Sequence, residues 1–432
     1  MRDLLPAQVA TRDWATGRIL DVYGSYGFTR IETPAVEGLK VLLGAQGGEN
    51  EKLIFKILKR GEKLSAAAGA DAADLGLRFD LTVPLARYYA HLHAGLPQPF
   101  RAIQIGPVWR AEQPQKGRYR QFTQCDIDIL GLGSHLAEIE LIRATVDALA
   151  AVTLRSLTVR INDRRLLVAL VRGAGFADAD GGAVLIALDK MDKIGAAGVH
   201  AELVARGFGA AQATRFLASV EEIEKRALAG GAELDWLDLP VDRGVIDALG
   251  AIIRAVQADR VAWAGAGADV EVRFDPTLVR GMGYYTGPIF EIGHTGYPSS
   301  IAGGGRYDDM IGRFLGRPVP ACGFSIGFER LVEILEEREG GRALGRARTK
   351  VVLLVDERLA DMSAALAEAR TRRAAGAVVV LEARSAKNTG RQLYQLARDG
   401  FEEGRAYLAD GTSEDLAPAL REKRTPGGEG GA

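Results

Sequence analysis

Cysteine is scarce in this chain of 432 residues, which contains only Cys125 and Cys322. Two widely separated cysteines form neither a CxxC pair nor the disulfide framework of a secreted domain, so they favour a reducing compartment. The N-terminal segment MRDLLPAQVA lacks the apolar run of a signal peptide, and no stretch of about 18 apolar residues is present to cross a membrane. We therefore expect a cytoplasmic protein with no membrane partner.

The chain also lacks an excess of charge of either sign. Its 55 lysines and arginines balance 56 aspartates and glutamates, for a formal net charge of -1. This balance disfavours a protein that coats nucleic acids through a global basic field, so a partner with a phosphate backbone has to meet a local basic patch. Hydrophobic residues make up 47% of the chain, enough for sizeable cores, and the length predicts two or three domains at about 150 residues each.

The usual nucleotide loops and metal-ligand clusters are missing as well. There is no G-x-x-x-x-G-K-[ST] loop, and GAGADV near Gly265 fails the last position of G-x-G-x-x-G. His91 and His93 do not share a helix face and have no cysteine or third histidine nearby, so no metal site is predicted. If the protein uses ATP, arginines on an antiparallel sheet have to bind it.

What the chain does contain is a mixture of helical and alternating segments, typical of an α+β fold. Helices are predicted for residues 12–26 and 136–151. RAIQIGPVWRAE and QFTQCDIDILG alternate in polarity and predict an antiparallel pair of strands. Further strands are predicted at residues 157–163, 270–276, 284–292, 300–305 and 322–327.

Composition also indicates how the chain divides into domains. Residues 1–335 form a core that is interrupted at 175–260 by an Ala-rich helical stretch, which we interpret as an inserted module. A basic linker of small residues covers 336–349, and a compact α/β unit follows at 350–422. The glycine-rich tail, 423–432, is expected to be disordered.

Arginines cluster where a phosphate site needs them. They stand at the ends of predicted elements or in the loop between the paired strands: Arg110, Arg118, Arg280, Arg306 and Arg330. Guanidinium groups bind phosphates through bidentate contacts, and each hydrogen bond to a charged group contributes roughly 1.5–3 kcal/mol. Several converging arginines therefore predict a triphosphate site, although solvation or a surface salt bridge is the better explanation for any one of them alone.

Two carboxylates, a glycine run and two tyrosines add further candidates. Asp126 and Asp128 alternate along one strand and therefore share a face, which lies either in a cleft near a polarised N–H group or on a solvated edge. The glycines at 303–305 either let a backbone approach a ligand closely or form a tight turn. Tyr284 and Tyr285 are expected on opposite faces of their strand, one in the core and the other towards a pocket.

Together these segments resemble the histidyl-tRNA synthetases, a family of class II aminoacyl-tRNA synthetases. TRIETPAVE is similar to the family's motif 1, VWRAEQPQKGRYRQFTQCDIDILG to motif 2 with its loop, and CGFSIGFERL to motif 3. LVRGMGYYTGPIFE and SSIAGGGRYDDMIG resemble the two segments specific for histidine. The resemblance implies an α+β class II fold, with an antiparallel sheet flanked by helices, a helical insertion and a C-terminal α/β domain similar to an anticodon-binding domain.

The resemblance also implies a role for each matching residue. Arg110 is expected at the α-phosphate and the histidine carboxylate, and Arg280 supplies a second positive charge at the α-phosphate, so both are expected to be catalytic. The expected ATP-binding residues are Arg110, Glu112, Arg118 and Arg330. The expected histidine-binding residues are Asp80, Leu81, Thr82, Arg110, Gln124, Asp128, Arg280, Tyr284, Tyr285, Arg306 and Tyr307.

Within that pocket the resemblance assigns the parts of histidine to different residues. Asp80, Thr82 and Gln124 are expected to take the α-amino group, and Asp128 and Tyr285 to hydrogen-bond the two imidazole nitrogens. A site that bonds both nitrogens rejects apolar isosteres by as much as ~10⁴–10⁵, because its own polar groups are left unpaired. No editing domain is then needed.

The implied activity is that of a histidine–tRNA ligase. The histidine carboxylate attacks the α-phosphorus of ATP, pyrophosphate leaves with Mg²⁺, and the adenylate then acylates the terminal ribose of the histidine tRNA. The implied partners are L-histidine, that tRNA and a second copy of the chain in a homodimer.

Some positions depart from the family pattern. RFDLT, which contains Asp80, stands where many members have R-P-E-G-T; Gly283 removes a carboxylate from the common R-G-L-D-Y-Y-T-G; and Gln113 replaces a frequent arginine. The C-terminal unit is also short for an anticodon-binding domain.

Two other functions are compatible with such a chain. One is a catalytically silent, synthetase-like regulatory subunit of ATP phosphoribosyltransferase, and the other is an adenylate-forming paralogue with a non-tRNA acceptor. Silent relatives typically lose the histidine-specific arginine, and this chain keeps Arg280 together with Arg110 and Arg330. The short C-terminus favours the second alternative.

Overall fold

The chain divides into two compact units, Met1–Leu344 and Gly345–Ala432. The computed structural model describes residues 1–44, 48–61, 72–113, 119–230, 233–280, 284–338, 348–385 and 387–424. Most of the predicted linker, most of the predicted tail, Arg118 and Gly283 lie outside the described residues. None of the helices in the described ranges is long and apolar enough to span a membrane.

Among the described residues, the strands of the first unit form one large sheet and one small three-stranded sheet. In chain order these strands are β1 Thr29–Arg30, β2 Val36–Gly38, β3 Lys56–Leu58, β4 Ala73–Leu77, β5 Phe100–Trp109, β6 Gln121–Leu130, β7 Ser156–Asp163, β8 Asp269–Phe274, β9 Pro288–His294, β10 Ala302–Arg306 and β11 Ala321–Ile326. The large sheet has the order β1-β5-β6-β11-β10-β9-β7-β8, and the small one the order β2-β4-β3. Pairing in the large sheet is antiparallel except at the two edges, where β1/β5 and β7/β8 are parallel. The predicted antiparallel pair, β5 and β6, is confirmed.

Helices cover this sheet. The α-helices described in the first unit are Pro6–Ser25, Leu39–Gly44, Thr82–Leu92, Leu136–Ala151, Arg164–Gly173, Gly181–Leu188, Met191–Ala205, Ala210–Gly230, Arg243–Gln257, Arg260–Gly265, Asp308–Leu315 and Phe328–Arg338. The prediction for 136–151 is confirmed to the residue. The first helix begins six residues before its predicted start, because proline at the first helical position loses no hydrogen bond there.

One sequence prediction about the later strands is wrong. The strand expected at 284–292 begins only at Pro288, so Tyr284 and Tyr285 precede it and do not alternate across it. The strand predicted at 300–305 is confirmed as β10, and the glycines at 303–305 lie inside it, between β9 and β11, which excludes the alternative of a tight turn. Both findings affect the candidate site.

The helical stretch at 175–260 does not stand apart as a compact unit among the described residues. Its last helix, Arg243–Gln257, packs on β7, on β8 and on the helix Leu136–Ala151. Val245, Leu249 and Ile253 of that helix belong to the same hydrophobic core as the sheet. This part of the predicted insertion is therefore a layer of the core.

The second unit has a sheet of its own, covered on both faces. Its strands are β12 Lys350–Val355, β13 Val378–Ala383, β14 Glu403–Tyr407 and β15 Ser413–Asp415, and its helices are Ser363–Ala374, Thr389–Arg398 and Ala417–Arg424. The order is β13-β12-β14-β15, with the first three strands parallel and β15 antiparallel. Alternate residues of β12 enter two different hydrophobic clusters, Val352 and Leu354 in one, Val351 and Leu353 in the other. This two-sided burial explains why the strand reads as a continuous apolar run.

Candidate active site

A cavity of about 410 Å³ lies on one face of the large sheet. Strands β6, β10 and β11 contribute residues to its wall, together with the starts of the helices at Thr82 and Phe328. Its size is in the range of small-molecule sites. The predicted site residues that line it are Asp80, Thr82, Arg110, Glu112, Gln124, Asp128, Arg280, Tyr284, Tyr285, Tyr307 and Arg330.

Two predicted residues do not line the cavity. Leu81 is 1% exposed in the core, and only its carbonyl oxygen is used, as the acceptor for Gln104 Nε2 at 3.0 Å. Arg306 is the last residue of β10 and pairs with Cys322 of β11. Side chains alternate between the two faces of a strand, so the Arg306 side chain lies on the face opposite to the cavity. There it forms a bidentate ion pair with Glu138, at 2.6 and 2.8 Å. The prediction that Arg306 lines the histidine pocket is therefore wrong.

Three buried carboxylates lie close together in the wall of the cavity. Asp126 and Asp128 both line it, which confirms that they share a face, and Asp80 joins them from the start of the helix Thr82–Leu92. Burial raises the pKa of Asp128 to about 7, although a hydrogen bond from the Tyr307 hydroxyl acts in the opposite direction. Burial also raises the pKa of Asp80 to about 6, while its Oδ1 accepts from the Val83 backbone N–H at 3.1 Å.

Tyrosines line the cavity beside these carboxylates. Tyr284 and Tyr285 both line it, contrary to the prediction of opposite faces, because they precede the strand. Their ring centroids are 4.3 Å apart, and the Tyr284 hydroxyl donates to the Tyr285 hydroxyl at 3.0 Å. Tyr284 also meets Tyr307 edge-on at 6.2 Å. The cavity thus holds the Asp128 carboxylate, which accepts from the Tyr307 hydroxyl, together with the paired hydroxyls of Tyr284 and Tyr285, and these groups suit a ligand with polar N–H and N: groups.

Arginines from three separate segments line the same cavity. Arg110 follows β5; its Nε donates to the Phe79 carbonyl at 3.0 Å, and its guanidinium lies 5.0 Å from the centre of the Phe122 ring. Arg280 forms an ion pair with Glu291 of β9. Arg330, in the first turn of the helix Phe328–Arg338, donates to the Ser300 carbonyl. Permanently charged groups that converge in this way are suited to a polyanion.

Glycines on the sheet make room for these side chains. A Cβ atom on Gly303 would lie 2.2 Å from Cζ of Arg280, and one on Gly323 would lie 2.0 Å from Oδ1 of Asp128. A Cβ on Gly305 would lie 3.0 Å from the Tyr285 ring. The glycine run therefore does not form a turn, and Gly303 lines the cavity, where a backbone approach to a ligand stays a prediction. The run lets charged and aromatic side chains lie flat on a strand.

Asp126, a candidate from its alternation with Asp128 but without a specific role, lines the cavity, and so does Glu329, which no sequence pattern singled out. Arg12 of the first helix donates to both oxygens of Glu329 at 2.8 Å, and to Oγ1 of Thr123 at 2.8 Å. The Thr123 backbone N–H also donates to Glu329, at 3.0 Å. The position of Glu329 beside Arg330 in the motif 3 segment could have indicated a place in the site. Its contact with Arg12, 317 residues away, could not be predicted from the sequence.

Sequence comparison finds a family for this chain. A sequence profile described as Histidyl-tRNA synthetase matches residues 1–331. The chain is 49% identical to a histidine–tRNA ligase from Leifsonia xyli subsp. xyli, over 93% of this chain and 92% of that protein. It is 36% identical to a histidine–tRNA ligase from Gloeobacter violaceus, over 82% and 78% of the two chains.

Two solved structures share the fold of this chain. A histidyl-tRNA synthetase from Nostoc sp. PCC 7120 matches with a TM-score of 0.73 at 25% identity, over 98% of this chain and 97% of that one. A protein from Bacillus halodurans, described as an ATP phosphoribosyltransferase regulatory subunit/histidyl-tRNA synthetase, matches with a TM-score of 0.68 over 91% and 94% of the two chains. Since its identity is 23%, the second match shows a shared fold only.

Proposed function

Because this chain belongs to the histidyl-tRNA synthetase family, we propose that it activates histidine with ATP in the cavity described above and transfers it there to tRNA. Its activity is that of a histidine–tRNA ligase, with ATP as a substrate. The observation that supports this use of the cavity is that Asp128, Tyr285, Arg110 and Arg280 line it together. Carboxylates and hydroxyls at one end suit an imidazole, and guanidinium groups suit phosphates.

Histidine binds at the carboxylate end. Asp128 and Tyr285 hydrogen-bond the two imidazole nitrogens, and Asp80, Thr82 and Gln124 take the α-amino group. The burial of Asp128, 3% exposed, supports this assignment, because a hydrogen bond to a buried carboxylate is not weakened by competing water. An analogue that lacks one ring nitrogen leaves a buried polar group unpaired and is rejected.

ATP binds at the arginine end. Arg110 contacts the α-phosphate and the histidine carboxylate, Glu112 the adenine amino group, and Arg330, with Arg118, the β- and γ-phosphates. Arg280 places its charge at the α-phosphate, where negative charge builds up during the reaction. Mg²⁺ enters with ATP as part of that substrate, and phosphate oxygens and water supply most of its ligands.

The reaction follows in two steps. A histidine carboxylate oxygen forms a bond to the α-phosphorus while the bond to the pyrophosphate oxygen breaks, which yields histidyl-adenylate and pyrophosphate. A hydroxyl of the terminal tRNA ribose then attacks the histidyl carbonyl carbon, loses its proton, and AMP leaves. Charge stabilisation by fixed guanidinium groups is the main contribution of the protein to the first step.

The tRNA partner, the dimer and the location in the cytoplasm are parts of the same proposal. The second unit, which has its own sheet and cores, binds the anticodon. A second copy of the chain covers the edge of the large sheet at β1, whose residues Thr29 and Arg30 are exposed. Exposed edges of this kind are normally covered or paired. Pro34, which the motif 1 resemblance places at the dimer interface, is exposed nearby in the chain.

Two assays test the activity in the order of the two steps. We expect ATP–pyrophosphate exchange that depends on histidine, and attachment of histidine to one acceptor when total tRNA is supplied. A folded protein without histidine-dependent exchange contradicts the proposal. Exchange without any charged tRNA leaves an adenylate-forming enzyme with a different acceptor.

The role of Arg280 is tested by Arg280→Ala. We expect exchange to fall by about 10²–10³, because one transition-state charge partner is lost. Circular dichroism checks that the variant is folded, and Arg254→Ala is a matched control, since that arginine is half exposed on a helix surface. Near-normal exchange by the Arg280 variant contradicts the role.

A further inference from the structure

Strand pairing brings Glu291 and Arg160 beside Arg280 on the large sheet. Glu291 of β9 is the cross-strand partner of Gly303 in β10 and of Arg160 in β7. Cross-strand partners lie on the same face of a sheet, with Cβ atoms about 5 Å apart. Since the Arg280 guanidinium rests on Gly303, it lies next to Glu291. The register of three strands therefore gives Arg280 a carboxylate neighbour and, beyond it, a second guanidinium.

Glu291 is shared between these two arginines. Its Oε2 accepts from Nη1 of Arg280, and its Oε1 lies 3.7 Å from Nη1 of Arg160. Arginine and carboxylate groups often form two parallel hydrogen bonds, and such a pair would occupy more of the donors of Arg280. Because Arg160 attracts one oxygen of Glu291, only the other oxygen is used by Arg280. Arg280 thereby keeps N–H donors for a second anion in the cavity.

Arg160 is held in turn by residues outside β9. Its Nε donates to Asp275 at 2.5 Å, its Nη2 to Thr277 at 3.2 Å and its Nη1 to Asp192 at 2.8 Å. Asp275 is 3% exposed and is itself fixed by a hydrogen bond from the Thr277 hydroxyl at 2.6 Å. Only the fork of a guanidinium reaches so many acceptors from one fixed position. The place of Arg160, and with it that of Glu291, is therefore set by several contacts at once.

The contact with Asp192 extends this arrangement to the helical stretch at 175–260. Asp192 lies in the first turn of the helix Met191–Ala205. Asp189, which ends the preceding helix Gly181–Leu188, also lies near the cavity arginine. Burial raises the pKa of Asp189, and the charge of Arg280 acts to lower it. The junction between the two helices thus presents two carboxylates to the arginines of the sheet.

We propose that Glu291 and Arg160 position Arg280 at the α-phosphate, and that Asp192 couples this arrangement to the helix Met191–Ala205. In the part of the chain that the structure describes, none of these three residues lines the cavity, so they act through Arg280 and are positioning residues. The inference rests on the proposed function of the cavity. It adds that the rate of histidine activation depends on how this helix packs against the sheet.

Glu291→Gln tests the positioning, because it removes the charge and keeps the shape. A displacement of about 1 Å in a catalytic group can lower a rate by 10²-fold. We therefore expect kcat for histidine-dependent exchange to fall about 10- to 100-fold, while the KM values for histidine and ATP change by less than about threefold. Arg160→Lys keeps the charge but loses the fork, and should lower kcat about tenfold. Large increases in KM with an unchanged kcat would contradict the role.

A double variant separates positioning from a merely structural role. When Arg280→Ala is already present, adding Glu291→Gln should lower kcat no further, because the group that Glu291 positions is gone. If the two losses multiply instead, Glu291 acts independently of Arg280 and the inference is wrong. Circular dichroism and the melting temperature check that each variant is folded.

Asp192→Asn tests the link to the helix, with Glu202→Gln as the matched control. Both carboxylates form ion pairs on the same helix, but Glu202 pairs with Lys190 and Arg206 and not with Arg160. Asp192 is 65% exposed, so we expect its change to lower kcat about two- to fivefold, the range for an exposed ion pair. Glu202→Gln should leave kcat unchanged.

The outcomes of this comparison are distinct. If Asp192→Asn lowers kcat no more than Glu202→Gln does, the helix is not coupled to the site and that part of the inference is wrong. Wild-type exchange with histidine is measured first. Its absence contradicts the proposed function itself, whereas normal wild-type exchange with unaffected variants contradicts the inference alone.

Discussion

At the scale of single residues, the site depends on glycines, which have no side chain, as much as on charged residues. Gly303 and Gly323 let Arg280 and Asp128 rest against the sheet, at separations that no Cβ atom would permit. The Arg280 guanidinium and the Asp128 carboxylate can then both line one cavity close to the sheet. The glycines therefore set the position of the catalytic charges.

Gly303→Ala should separate this effect from folding. The three atoms nearest to the new methyl group belong to the flexible end of Arg280, which can move away, so the guanidinium is displaced at little cost to stability. Because a displacement of about 1 Å in a catalytic group can lower a rate by 10²-fold, we expect exchange to fall roughly 10- to 100-fold. The melting temperature should change by no more than about 2 °C.

Gly304→Ala is the control for that experiment. Its methyl group would lie 2.1 Å from the Gly323 carbonyl oxygen and 2.7 Å from the Phe290 ring, neither of which is the end of a flexible side chain. We expect it to lower the free energy of unfolding by at least 1–3 kcal/mol, as is typical of overpacking. Full exchange activity in Gly303→Ala would show that Arg280 does not need its present position.

Single residues also show where sequence reasoning succeeds and where it fails. Asp126 and Asp128 were placed on one face correctly, because alternation along a strand follows from backbone geometry alone. Arg306 was misplaced: the resemblance supplied a role, whereas the register of β10 decides which face its side chain takes. Register depends on pairing with β9 and β11, which no local pattern specifies.

At the scale of elements, one arginine links three segments that meet at the cavity. Arg12 lies on the helix Pro6–Ser25, its partner Glu329 begins the helix Phe328–Arg338, and Thr123 belongs to β6. Its guanidinium also lies 5.0 Å from the centre of the Phe328 ring. Although burial acts to raise the pKa of Glu329, Arg12 keeps it below the ordinary value. The helix that presents Arg330 is thereby held against β6.

Arg12→Ala should therefore affect ATP more than histidine. Loss of the guanidinium removes two hydrogen bonds to the half-buried Glu329 and leaves it the Thr123 N–H and the longer ion pair with Arg2 at 3.6 Å, so the start of the Arg330 helix is held less firmly. We expect the KM for ATP to rise at least about tenfold and the KM for histidine by much less. Arg18→Ala, on the exposed face of the same helix, is the control and should change neither. Equal increases in both KM values would mean that Arg12 only stabilises the fold.

Elements were predicted best where the pattern is long and local. The helix at 136–151 and the β5/β6 pair were found because their periodicities extend over ten residues or more. The strand predicted at 284–292 starts too early, although tyrosine and threonine are residues that favour strands. The two tyrosines before Pro288 instead lie in the cavity, beside Tyr307 and above Gly305, so tertiary contacts outweigh the local preference.

At the scale of the whole molecule, the chain consists of two units that do not share a core. The main hydrophobic cluster runs from Ala15 to Leu335, within the first unit, and the two clusters of the second unit begin at Val351 and Val352. The residues that line the cavity all belong to the first unit. Activation of histidine is therefore expected to need the first unit alone.

A chain that ends at Leu344 tests this division. We expect it to fold and to keep histidine-dependent exchange within about threefold of the full chain, because its core and its cavity are intact. Charging of the histidine tRNA should fall by about 10² or more, since one of two linked binding surfaces is lost and with it the gain from binding at both. The full chain with Arg280→Ala should differ in both respects: it should still bind the tRNA, while exchange falls by about 10²–10³. Loss of exchange together with charging in the shortened, folded chain would show instead that the first unit needs the second for its chemistry.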